Sequence, residues 1–205
     1  MRIDSTTQLE NLDFEKGGGL VPVVAQHVDS GQVRMLGYAD RAALEESLRT
    51  GLLHFYSRSR AALWKKGETS GNTLRLVSLH ADCDGDALVA LVEPAGPTCH
   101  TGAESCFDAS PFLAQLAAVI DARADAVARG GEPASGYTAK LLQDRNLRLK
   151  KITEEAGELV LACADDDATA VAAEAADVLY HSLVACRAAG VDLDDIVRTL
   201  RTRHR

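Results

Sequence analysis

Asp82-Cys83-Asp84-Gly85-Asp86, running on into Ala87-Leu88-Val89-Ala90-Leu91-Val92, sets three carboxylates at alternating positions with a thiol between them. Alternation that continues into an apolar segment reads as strand, with the acids on one face and Cys83 on the other. Such a strand places hard oxygen ligands suited to Mg²⁺ back to back with a soft thiolate suited to Zn²⁺. Further thiols follow at Cys99 and Cys106. A solvated turn between two apolar runs is the plainer alternative for the acids. An EF-hand calcium loop is excluded, because the position needing Gly for its sharp turn is Ala87 and the next residues are strand-like.

Around this stretch, 205 residues with 46% hydrophobic content can bury one sizeable core or two small ones. The formal net charge of -8 argues against a nucleic-acid or membrane-surface binder, since phosphate backbones and anionic lipids call for clustered cations. Met1-Arg2-Ile3-Asp4 lacks a signal pattern, and no apolar run approaches the ~18 residues of a membrane span, so a cytoplasmic protein is expected. Five cysteines, an odd number, fit a reducing compartment better than a disulfide framework.

Taken in order, the segment to Lys16 has weak periodicity and is expected to be a loosely packed arm, followed by the Gly17-Gly18-Gly19 run. Pro22 to Val28 and Gln32 to Leu36 flank Asp29-Ser30-Gly31, a hairpin signature. Asp40 is placed to cap a helix over Arg41 to Thr50, with Gly51 at its end. Strands are expected over Leu52 to Tyr56, Thr73 to His80 and Ala87 to Val92. Between the first two lies a polar loop, Tyr56 to Asn72, that gathers cations, hydroxyls and glycines in an otherwise acidic chain. Ser57, Arg58, Ser59, Arg60, Lys66, Gly67 and Ser70, with Trp64 among them, suit a phosphate monoester, against the alternative of an ordinary basic surface loop.

Composition turns to Ala, Leu, Arg, Asp and Glu near Asp108-Ala109-Ser110-Pro111, which marks a boundary between domains spanning 1–108 and 109–205. The first reads as α+β, with a metal site at a strand junction; the second reads as all-α. Ser110 and Pro111 open a helix from Phe112 to Arg129 that Gly130-Gly131 stops. Longer helices follow over about Leu147 to Ala164 and Ala168 to Ala189, and a last one starts near Asp192. Glu154, Glu155 and Glu158 share about a 100° arc of one helix, and Glu174 with Asp177 does the same on the next. If these helices pack antiparallel across Asp165-Asp166-Asp167, divalent cations are the natural neutralisers of the crowded charge. The neighbouring Ala156, Leu159, Val160, Ala175, Ala176 and Val178 favour a packed seam over a solvated acidic face. Cys163 and Cys186 read as core residues.

Residues from about Phe14 to Phe107 resemble the phosphoribosyl-AMP cyclohydrolase family. The resemblance rests on Ser57-Arg58-Ser59-Arg60, Leu63-Trp64-Lys65-Lys66-Gly67-Glu68-Thr69-Ser70-Gly71, Asp82-Cys83-Asp84-Gly85-Asp86 and Gly96-Pro97-Thr98-Cys99-His100-Thr101-Gly102. From about Phe112 onward the chain resembles the phosphoribosyl-ATP pyrophosphatase family, through Tyr137-Thr138-Ala139-Lys140-Leu141, Lys151-Ile152-Thr153-Glu154-Glu155-Ala156-Gly157-Glu158 and Glu174-Ala175-Ala176-Asp177-Val178-Leu179-Tyr180-His181. The families usually show Gly where this chain has Thr153 and commonly Asn where it has Asp40. Together the resemblances imply a bifunctional hydrolase of histidine biosynthesis that works as a homodimer on phosphoribosyl-ATP and phosphoribosyl-AMP. They imply Zn²⁺ on Cys83, Cys99 and Cys106, partly donated across the dimer interface, and Mg²⁺ on Asp82, Asp84 and Asp86. Zinc-activated water would open the N1–C6 bond of the adenine ring, with His100 moving protons or only orienting its neighbours. In the helical domain they imply Mg²⁺ on Glu154, Glu155, Glu158, Glu174 and Asp177, a glutamate such as Glu155 or Glu158 as base, and Lys150 and Lys151 on phosphates. Two rival readings are a housekeeping nucleoside-triphosphate pyrophosphohydrolase and a zinc-stapled interaction module with no activity. Structural zinc prefers four closed ligands, and three clear thiols weigh against the module.

Overall fold

The computed structural model describes residues 1–130 and 136–204, which fall into two compact units, Met1–Pro111 and Phe112–Arg205. The first unit is a five-stranded sheet of order β1-β6-β7-β2-β3, built from β1 (Arg2–Ile3), β2 (Val21–His27), β3 (Val33–Ala39), β6 (Leu74–Ala81) and β7 (Leu88–Pro94). β2 pairs parallel with β7, and the other pairs are antiparallel. A two-stranded hairpin, β4 (His54–Ser57) with β5 (Ala62–Lys65), forms a second small sheet.

The β2–β3 hairpin forms at the expected place, and strict alternation of buried residues along β2 turns Val21, Val23 and Ala25 into the core. Helix α1 (Arg41–Thr50) starts where the Asp40 carboxylate accepts from the Ala43 amide at 2.8 Å. It stops at Gly51, whose φ of 68° is the left-handed conformation that glycine adopts without strain. Leu44, Leu53, Phe55, Leu74, Leu79 and Leu88 complete the core. Gly37 is required by packing: a Cβ there would lie 2.4 Å from the Phe55 ring.

Four expectations change. The first residues are not a loose arm: β1 pairs with β6, a 3₁₀ helix covers Thr6–Asn11, and Ile3, Leu9 and Leu12 are buried. The polar loop is not continuous loop, because Ala62–Lys65 pairs with His54–Ser57. The expected strand over Leu52 to Tyr56 shifts to His54–Ser57, with Leu52 held by a lone bridge to Arg75. Asp82 to Asp86 are the connection between β6 and β7, not strand; Gly85 sits at φ 74°, and the Asp82 carboxylate accepts from the Asp86 and Ala87 amides at 3.1 and 3.3 Å. A side chain that bonds backbone amides ahead of it stabilises a turn in competition with pairing.

The second unit is helical: α2 (Phe112–Ala128), α3 (Tyr137–Gln143), α4 (Arg145–Ala164), α5 (Ala168–Ala188) and α6 (Leu193–Arg203). α4 and α5 pack against each other over the Asp165–Asp167 turn. Asp144, Asp167 and Asp192 each cap the following helix through side-chain acceptance. Gly130, at φ 64°, follows α2, and Gly131 lies outside the described residues. α3 was not anticipated as a separate helix. The core gathers Ile120, Leu141, Leu183 and Val184. Two expectations fail here. Cys163 is exposed rather than core. Ala156, Val160, Ala175 and Ala176 are exposed too, so within one chain they seal no seam around the acids.

Candidate active sites

In the first unit a cleft of about 480 Å³ is lined by Trp64, Lys66, Gly67 and Ser70 together with Thr98, Cys99, His100 and Cys106. The sequence joins these through the β5–β6 connection and the loop after β7. Gly67, at φ 80°, lets the backbone close on itself, since a Cβ there would meet the Asn72 carbonyl carbon at 2.4 Å. Lys66 is buried, and its Nζ donates to the Asn72 carbonyl at 3.4 Å. The thiol loop is pinned at both ends. The Cys99 amide donates to the Ala103 carbonyl at 2.9 Å and the Cys106 amide to the Arg34 carbonyl at 2.8 Å. Buried Arg34 donates through Nη1 to the Glu104 carbonyl at 2.9 Å and carboxylate at 2.5 Å, while Ser105 Oγ donates to the Val33 carbonyl at 2.7 Å.

The Thr101 hydroxyl donates to Cys99 Sγ at 3.2 Å, and this bond holds the Cys99 thiol below its ordinary range. Desolvation pushes the Cys106 thiol up, and the charge of Cys99 adds to the rise. His100 Nδ1 lies 3.7 Å from Cys99 Sγ. Cys83 stands apart on the β6–β7 turn, exposed, with Asp84 Oδ1 4.0 Å from its sulfur. Among the described residues the three thiols are not gathered within 4.8 Å of one another in one chain. Arg58 stacks over the Tyr38 ring at 4.1 Å; Arg60 pairs with Glu68 at 3.1 Å and lies over Trp64. Ser57 and Ser59 meet hydroxyl to hydroxyl at 3.4 Å, and Ser57 Oγ accepts from the Arg60 amide at 3.3 Å.

Asp82, Asp84 and Asp86 converge, each offering an oxygen within 4.8 Å of the others. Lys16 reaches into them, 2.7 Å from Asp84 and in contact with Asp86. The pair of carboxylates raises the Lys16 ammonium well above its ordinary range, and Lys16 in turn lowers Asp84. Three hard oxygens in one turn fit a Mg²⁺-type cation.

In the helical unit Glu155, Glu158 and Glu174 form the second convergent acid group, again within 4.8 Å. Glu155 is buried. Its Oε1 meets Lys151 Nζ at 2.5 Å, and that bond lowers its pKa against the cost of burial. The neighbouring charge of Glu155 raises Glu158. Glu154 is turned to Lys150 at 2.8 Å and Lys151 at 3.3 Å, and neither it nor Asp177 is in the convergent group. His181 is buried beside Glu155, its Nε2 3.7 Å from the same Oε1, with Tyr137 and Tyr180 edge-on to its ring.

Residues 35–108 match the family model described as phosphoribosyl-AMP cyclohydrolase, and residues 113–204 match the one described as phosphoribosyl-ATP pyrophosphohydrolase. The chain is 45% identical to a histidine biosynthesis bifunctional protein HisIE of Shewanella oneidensis, over 98% of this chain and 95% of the relative. Identity to the HisIE proteins of Escherichia coli and Vibrio vulnificus is 43% and 40%, each over 96% of this chain and over 97% and 94% of the relative. The chain belongs to the HisIE family. Its two matched segments carry the two acid groups and the cleft, one set in each unit.

Sequence reasoning did not single out Lys16, Arg34, Tyr137, Tyr180 or His181 for a site. Lys16 and Arg34 act on residues far along the chain. His181 carried a signal, since it stands one turn beyond Asp177 on the acidic helix.

Proposed function

We propose that this HisIE family member hydrolyses phosphoribosyl-ATP to phosphoribosyl-AMP and pyrophosphate in its helical unit, and opens the adenine ring of phosphoribosyl-AMP in its first unit. The carrying observation is the pair of family matches, each lying within a unit and including its own acid group. The unit boundary at Pro111 and Phe112 supports assigning the two activities to separate domains.

In the helical unit, Glu155, Glu158 and Glu174 would hold Mg²⁺, which supplies charge neutralisation of the polyphosphate and activation of water. Lys150, now paired with Glu154, and Lys151, now paired with Glu155, would meet phosphate oxygens once a cation takes over the carboxylates. Water attacks the α-phosphorus, the bond to the bridging oxygen breaks, and pyrophosphate leaves with the electron pair. Glu155 or Glu158 would serve as the base that takes a proton from the attacking water.

In the first unit, Cys99 and Cys106 from one chain and Cys83 from a second would hold Zn²⁺, which supplies Lewis-acid activation of water. The separation of Cys83 from the other thiols supports a shared site in a homodimer, and the exposed Phe112, Val160 and Leu161 of the helical unit support association of two copies. Lys66 and Ser70 line the cleft and suit the ribose phosphate, with Arg60 held beside it on Glu68, and Trp64 would stack on the purine. Asp82, Asp84 and Asp86 would hold Mg²⁺ in exchange for Lys16. Water adds its oxygen to C6, the N1–C6 bond breaks with its electron pair going to N1, and N1 takes a proton from that water, which His100 beside Cys99 would carry. Among the described residues no helix is long and apolar enough to cross a membrane, in keeping with a cytoplasmic location. Substrate profiling tests the reading: phosphoribosyl-ATP should be turned over through both steps, whereas preference for free nucleoside triphosphates, or no turnover, would refute it.

A further inference from the structure

His181 is buried on α5, only 3% exposed, and among the described residues its Nδ1 has no hydrogen-bond partner. A buried imidazole nitrogen left without a partner costs stability. Its other nitrogen, Nε2, faces Glu155 Oε1 across the α4–α5 pair at 3.7 Å, beyond hydrogen-bond length. Tyr137 from α3 meets the ring at a steep angle with centroids 5.7 Å apart, and Tyr180 does so at 5.1 Å, so two aromatic rings pack against the imidazole.

Glu155 is itself only 5% exposed and is the one buried member of its acid group. A buried carboxylate needs a fixed partner: Oε1 bonds Lys151 Nζ at 2.5 Å, and His181 Nε2 stands 3.7 Å away. They differ in kind. Lys151 is a long side chain from the same helix, partly open to solvent, carrying a full charge that a divalent cation repels. His181 is short, comes from the opposite helix, and can donate an N–H without adding charge. We propose that His181 is a positioning residue: it holds Oε1 of Glu155 when a divalent cation displaces Lys151, leaving Oε2 aimed at the cation site. The 3.7 Å gap closes by a small turn of the carboxylate once Lys151 withdraws. This rests on the metal-binding reading of Glu155, Glu158 and Glu174. Partners of this kind around metal-ligating side chains tune affinity by about 10- to 100-fold.

The test uses the full chain and Mn²⁺ alone, with free ion read by electron paramagnetic resonance. Sites lost in Glu155→Gln define the helical site. In His181→Phe, which keeps ring volume without nitrogen, those sites should weaken by about 10- to 100-fold while other Mn²⁺ sites hold. His181→Gln places an amide near the Nε2 position and should restore affinity to within about threefold, whereas His181→Asn, reaching only the Nδ1 position, should bind as weakly as Phe. The Gln and Asn pair decides the matter if the Phe variant does not fold. Wild-type Mn²⁺ affinity in a folded Phe or Asn variant, or a Gln variant as weak as either, overturns the positioning role. No Mn²⁺ lost in Glu155→Gln would instead overturn the metal reading beneath it.

Discussion

Replacing Arg34 by Met keeps a long, mostly apolar side chain but removes the guanidinium that ties the thiol loop to β3. Two hydrogen bonds disappear, to the carbonyl and the carboxylate of Glu104. A hydrogen bond to a charged group contributes about 1.5–3 kcal/mol. The Glu104 carboxylate is 64% exposed, so its share falls toward the few tenths typical of a surface pair. About 2 kcal/mol of loop anchorage remains to be lost, most of it through the Glu104 carbonyl. The Cys106 amide and Ser105 hydroxyl bonds to β3 stay, so the loop should loosen rather than unfold. If Cys99 and Cys106 bind zinc only in this geometry, about 2 kcal/mol of lost pre-organisation weakens zinc roughly thirtyfold. Competition against a chromophoric chelator at neutral pH measures that directly, with circular dichroism as the folding check. Wild-type zinc affinity in folded Arg34→Met would refute the reasoning that Arg34 sets the thiol geometry.

Thr101→Val removes the hydroxyl that favours the Cys99 thiolate. The folded thiol is held below its ordinary range, so loss of the bond should move the pH midpoint of Cys99 alkylation upward in metal-free protein; an unmoved midpoint would contradict the assigned cause. Leu9→Ala tests the N-terminal segment as part of the core: full burial of Leu9 predicts a loss of about 2–5 kcal/mol in denaturant unfolding of the first unit. A loss under about 0.5 kcal/mol would show the segment to be a dispensable arm after all.

Legibility in the sequence followed the range of the forces involved. The hairpin over Asp29-Ser30-Gly31 and the helix between Asp40 and Gly51 are decided by neighbours in the chain, and both form where local pattern puts them. Asp82 to Asp86 misled because alternation of type is equally compatible with a turn in which Gly85 is left-handed and Asp82 bonds the amides ahead of it. Ile3, Leu9 and Leu12 gave no period because they span a two-residue strand and a 3₁₀ helix, and their burial depends on pairing with β6, far along the chain. The acid group of Glu155, Glu158 and Glu174 was readable from helical spacing on two adjacent helices. The buried His181 beside it, and the two tyrosines against that ring, depended on how α3 and α5 pack with α4, which no spacing within one helix reveals.

The central claim is that two separate sites carry two successive hydrolyses. Incubating Cys99→Ser and Glu155→Gln in parallel with phosphoribosyl-ATP, and following nucleotides by mass spectrometry with pyrophosphate release alongside, tests it most directly. Cys99→Ser should release pyrophosphate at the wild-type rate and accumulate phosphoribosyl-AMP. Glu155→Gln should release almost none, yet open the ring of added phosphoribosyl-AMP as the wild type does. Loss of both steps in either folded variant, or undiminished pyrophosphate release from Glu155→Gln, would contradict the account.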